Sequence, residues 1–193
     1  MKLFLKANLF VVFVFLALFC GCSFAQEKPH YNSAELKREG DRKIAVTLYL
    51  NLPQVMHQLV SPKQPLKVFL KNYSDLTDKQ LEKEMANVVS ILTANSNLTL
   101  TTGLKVNFKN WQLPDIQSLR ESFKLSLMLM DLPPNIQAQF HLDPVKVSSE
   151  VQSKSSLNTV QLKLPSAFFP ILVSNQNDNF WLTDQIPTAI ISF

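Results

Sequence analysis

Three histidines, His30, His57 and His141, are the side chains here best suited to hold a metal or move a proton near neutral pH. None has a second histidine, a cysteine or a carboxylate at metal-ligand spacing, and neither His-x-x-x-His nor Cys-x-x-Cys occurs. His57 falls in a short helical stretch, and His141 points away from Phe140 and Leu142 on an expected strand. His30 is the one weak metal candidate, because a residue near a chain start can swing onto an ion. Nucleophilic catalysis needs a base beside the nucleophile, yet no serine sits in Gly-x-Ser-x-Gly. The acid pairs Asp75/Asp78 and Glu82/Glu84 fall in a helix and its cap region, where solvation and capping account for them. No catalytic residue is assigned and no cofactor is called for. An envelope hydrolase whose acids meet only in space is the remaining enzymatic alternative.

Aromatic side chains offer a different chemistry. Phe180 and Trp181, flanked by Asn- and Asp-rich segments, are the candidates for contact with a ligand or partner, and Trp111 before Leu113-Pro114 is the third. Each could equally fold back over a sheet edge.

The chain opens with Lys2 and Lys6, an apolar run from Leu9 to Phe19, and small residues from Gly21 to Ala25. This is the pattern of an export signal, too short for a comfortable membrane span. Ser23 and Ala25 fit the −3 and −1 positions of an ordinary cleavage site, leaving a chain from Gln26 with no cysteine. The alternative cut precedes Cys22, whose thiol would carry the lipid of an envelope lipoprotein; Gly21 suits that site, whereas Phe19 and Cys20 do not. A periplasmic or secreted protein is expected, attached to a membrane only if Cys22 is lipidated.

Removal of residues 1–25 leaves 168 residues with 17 basic and 15 acidic side chains, so the net charge is +2. Those charges are dispersed, and nucleic-acid binding, which needs a concentrated basic face, is not expected. Two glycines remain, Gly40 and Gly103, which excludes phosphate-cradling loops and dinucleotide folds. The length suits one domain that needs no disulfide. Asn72-Tyr73-Ser74 and Asn97-Leu98-Thr99 match the glycosylation pattern, a frequent chance occurrence.

After a polar leader, residues 26–33, the elements of a single domain over 34–193 can be placed. Ile44, Val46, Leu48 and Leu50 alternate on one strand face, preceded by a Gly40-Asp41 turn and a hairpin partner at Ala34–Glu39. Pro53 starts a short helix to Val60, and Leu66–Leu70 is expected to be extended. Asp78–Thr93 is a long helix with a Thr77/Gln80 capping box and a stripe of Leu81, Met85, Val88, Val89 and Leu92. A hairpin follows around Gly103. Leu125, Leu127 and Leu129 alternate as in a strand. Further strands are expected at Ile136–Leu142, Val145–Val151, Val160–Leu164, Ile171–Ser174 and Ala189–Phe193. The result is α+β: an antiparallel sheet or sandwich with one long amphipathic helix and one short helix.

His30, Ser33, Leu36, Gly40, the Ile44/Val46/Leu48/Leu50 strand, Leu98-Thr99-Leu100, Gly103, the run Val160 to Pro165 and Phe168 carry a resemblance. In outline the chain resembles the exported β-rich ectodomains of bacterial envelope proteins that precede the membrane part of hydrogenase/urease-accessory nickel permeases. It departs from them in ending without a transmembrane region, so transport does not carry over. The resemblance implies an envelope accessory domain, with metal handling resting on His30 alone. The leading expectation is a non-enzymatic module binding a protein partner or a small ligand. A carrier of apolar ligands would require a cavity between helix and sheet.

Overall fold

Strand β1 (Asn32–Arg38) and strand β2 (Lys43–Leu50) form an antiparallel hairpin in which Ala34 faces Leu48 and Leu36 faces Val46. The computed structural model describes residues 31–137 and 142–193. The export signal, Cys20, Cys22, His30 and His141 lie outside the described residues. Gly40 turns the hairpin at φ +102°, a conformation L side chains resist. Alternation then does what the period of two predicts: Ile44, Val46, Leu48 and Leu50 are fully buried while Ala45, Thr47 and Tyr49 line the opposite face half-exposed.

Helix α1 (Leu52–Val60) is capped by Asn51, with Pro53 in its first turn, where a missing N–H does no harm. Helix α2 (Leu66–Ser74) replaces the expected extended run. Leu66, Phe69, Leu70 and Tyr73 recur at helical spacing, a pattern visible only when the window reaches past Leu70. Helix α3 (Asp78–Asn95) carries the expected capping box, Thr77 with Gln80, and buries Leu81, Met85, Val88 and Leu92. Strands β3 (Asn97–Leu100) and β4 (Lys105–Asn107) pair across Gly103 at φ +81°. The chain then crosses to the other sheet through buried Phe108, and β5 (Lys109–Gln112) joins with a register shift around Asn110, itself at φ +54°.

Helix α4 (Ile116–Met130) corrects a second expectation. Leu125, Leu127 and Leu129 lie on a helix whose buried residues are Leu119, Phe123 and Ser126. Asp115 caps it, and the Ser118 hydroxyl and amide bonded to its carboxyl hold that group below the usual carboxylate range. The strand expected at Ile136–Leu142 begins instead as a short helix, α5 (Pro134–Gln137), which Pro134 initiates, and Leu142 is not in a strand. The remaining strands fall close to expectation: β6 (Val145–Gln152), β7 (Thr159–Lys163), β8 (Ile171–Ser174), β9 (Asn179–Leu182) and β10 (Thr188–Ser192).

Two sheets result, ordered β5-β6-β2-β1-β8-β9 and β10-β7-β3-β4. Among the described residues every pairing is antiparallel except β1 with β8. The fold is α+β, with more helix than expected. Buried residues of both sheets and the four longer helices form one contiguous core, with Phe69, Phe108, Phe123 and Phe168 its largest fully buried side chains. Among the described residues no helix is long and apolar enough to cross a membrane.

Candidate functional site

Helices α2 and α4 run antiparallel: Lys67 pairs with Asp131 at one end, and Arg120 at the other donates to the Ser74 and Leu76 carbonyls and to Asp78. Between them Phe69, Tyr73 and Phe123 pack ring against ring, Phe69 and Tyr73 stacked at 4.1 Å and Tyr73 5.5 Å from Phe123. The Tyr73 hydroxyl donates to Glu84 at 3.1 Å. Burial, and then the Glu84 charge, push the phenol well above its ordinary pKa. This cluster fixes the helix pair and leaves the last turn of α4 facing the start of α2.

At that end the structure opens a cavity of about 290 Å³. Leu66 and Leu70 from α2 and Leu129 and Met130 from α4 form its apolar side, extended by Pro53, Leu142 and Pro144. Asn32, Asn51, Gln54, Gln137 and Ser126 supply the polar groups, and Tyr31 stands at the β1 end. None of these side chains is a carboxylate, ammonium, guanidinium or imidazole. Much of the polar capacity is already engaged. Asn32 donates to the Phe168 carbonyl and accepts from the Asn51 amide, both at 2.9 Å. Gln137 donates to the carbonyls of Met130 and Leu132, and Ser126 donates to Ser122. The Asn51 side-chain Nδ2 donates to Gln54 Oε1 at 3.3 Å, which leaves the Gln54 side-chain amino group without a partner among the described residues. Among the described lining residues no base stands beside Ser126.

The residues singled out from sequence divide. Trp181 is 44 % exposed and meets Tyr31 edge-on at 4.8 Å, which joins it to the cavity wall. Phe180 faces Val173 across the β8–β9 pair and packs half-buried on the core. Trp111 is half-buried against Phe108 at 5.8 Å, its indole nitrogen buried without a partner among the described residues. His57 is held by a 2.6 Å contact from Nε2 to the Gln64 carbonyl, so Nε2 carries the proton, and its ring meets Phe69 edge-on. Glu84 and Asp78 are engaged by Tyr73 and Arg120. Among the described residues no three His, Cys, Asp or Glu side chains gather at metal-binding distance. Asn97 is buried, which makes its sequon a poor acceptor in the folded chain.

A wider depression of about 710 Å³ lies between α1, α3 and the segment after β7, with Lys163 and Asp184 in its wall. It differs from the first in carrying both charges. The residues of the smaller cavity were missed in the sequence because they come from helix ends and loops far apart in the chain. The only local signal was the Asn51-Leu52-Pro53-Gln54 cap. No family model, curated protein or solved structure matches the chain.

Proposed function

We propose that this chain is an exported, non-enzymatic binding module of the bacterial envelope that holds a small uncharged ligand in the cavity between α1, α2, α4 and the start of β1. The observation that carries the reading is the lining: apolar residues of α2 and α4 together with the carboxamides of Asn32, Asn51, Gln54 and Gln137, and, among the described lining residues, no ionisable group except the Tyr31 phenol. A charge desolvated against these walls would meet no counter-ion among the described lining residues, which disfavours ionic ligands. The N-terminal signal pattern and the resemblance to envelope ectodomains support the setting.

Native mass spectrometry of the protein purified from the envelope of an expressing bacterium tests this. The expected result is a noncovalent neutral adduct, lost in Met130→Lys and kept in Lys163→Ala, which alters only the wider depression. A protein free of adducts that also gains no stability from a panel of neutral small molecules contradicts it.

A further inference from the structure

The binding role proposed above leaves the ligand's chemistry open, and the mixed apolar and carboxamide lining narrows it. We infer that the ligand is a neutral single-chain amphiphile, its chain lying along Leu66, Leu70, Leu129 and Met130 and its uncharged hydrogen-bonding head resting against Asn51 and Gln54. Leu66 and Leu70 stand one turn apart on α2, and Leu129 and Met130 close the same space from the last turn of α4. The apolar wall therefore has length along the helix axis, about 6 Å between the two leucines. The cavity holds about ten waters' share of liquid volume, at roughly 30 Å³ each. That is room for a chain segment of several methylenes.

The head is placed by the amides. Gln54 offers an amino group and Asn51 a carboxamide at the start of α1, a set that both donates and accepts. Hydroxyl, ester and amide groups satisfy such a set. An anion would have the positive ends of α1 and α2 nearby. However, Pro53 removes one backbone donor, Asn51 already caps Gln54, and no basic side chain is among the described lining residues. A cation finds no carboxylate among them. Of the exposed apolar residues of α4, Met130, 38 % exposed, is in the lining, while Leu125 and Met128 are exposed outside it. A methionine in the wall accommodates chains of varied shape.

Trp181 reports occupancy, because its partner Tyr31 is part of the cavity wall. The full-length expressed protein is titrated with 1-monooctanoyl- and 1-monodecanoylglycerol below their micelle concentrations, then with decanoate, decyltrimethylammonium and benzyl alcohol. Trp181→Phe, which leaves only Trp111, serves as the blank. Each added methylene is expected to tighten binding about fourfold, so the decanoyl ester binds about sixteenfold tighter than the octanoyl ester. Decanoate and the ammonium are expected at least tenfold weaker than the decanoyl ester. Met130→Leu keeps this order, whereas Met130→Lys, at a site exposed enough to tolerate the change, places a charge beside the chain and weakens both esters at least tenfold. Decanoate binding to the unaltered protein as tightly as the ester, or affinity independent of chain length, overturns the amphiphile assignment. Benzyl alcohol binding with no effect of either ester also overturns it and leaves the binding role standing. Failure of every neutral probe removes both. Flotation with phosphatidylcholine vesicles in place of monomer binding would mean that the exposed α4 face meets a membrane and that the ligand is not a free monomer.

Discussion

Single side chains hold the cavity's frame, and their removal has distinct signatures. Arg120 ties α4 to the end of α2 through two carbonyls and Asp78, with its own side chain only 15 % exposed. Arg120→Met leaves those carbonyls without a charged donor and is expected to lower unfolding free energy by about 1.5–3 kcal/mol in urea denaturation. Phe123→Ala opens a void in the ring cluster, at an expected loss of about 3–5 kcal/mol. Tyr73 gives a pH signature. Its folded pKa lies above the unfolded value, so the folded chain keeps the phenolic proton where the unfolded chain has released it. Its contribution is complete below about pH 10 and declines as pH rises further. Melting curves of the native protein and Tyr73→Phe should therefore converge from pH 9 toward pH 12, the native protein losing more. Parallel curves would show that the phenol titrates as it does in the unfolded chain.

At the scale of elements, β-hairpin geometry and helix caps set the frame, and Gly103 gives a clean test of it. A Cβ there would meet nothing within 4 Å, so the effect of Gly103→Ala reports backbone conformation at φ +81° alone. The expected destabilisation is about 1–2 kcal/mol, less for Gly103→Asn. Thr77→Ala should lose about 1 kcal/mol with the capping box. Such elements were legible in the sequence because their signals are local: alternation in β2, the Thr77/Gln80 pair, the glycine between β3 and β4. Two of the three segments that differ from expectation show the limit. Leu66–Leu70 is too short a window to separate a strand from a helix until Tyr73 is included. The Leu125/Leu127/Leu129 alternation coincides with a helical period whose buried positions are Leu119, Phe123 and Ser126. Asp115 with Ser118 was the cap that would have decided the second.

For the whole molecule, the cavity exists because two misread helices pack antiparallel and end beside the capped start of α1. No local pattern could announce it. Leu66, Leu129, Asn51 and Asn32 approach one another only through tertiary structure, and each has an ordinary role in its own element. Trp181 was visible as an exposed aromatic candidate, and its connection to the site runs through Tyr31, a contact formed by the parallel docking of β8 against β1 and the pairing of β9 with β8. The account therefore predicts that function follows the helix ends and not the acid pairs or His57. His57→Gln should leave ligand binding within about twofold, a difference near 0.4 kcal/mol.

Methyl-labelled methionine spectra give the most direct measurement. Met130 lines the cavity and Met128, two residues before it on α4, is largely exposed, whereas Met56 and Met85 are buried in the core and are not part of the lining. Addition of 1-monodecanoylglycerol is predicted to move the Met130 resonance in a saturable way, with a smaller shift at Met128 and none at Met56 or Met85. An unmoved Met130 at saturating probe, or equal shifts at all four methyl groups, contradicts the cavity as the binding site.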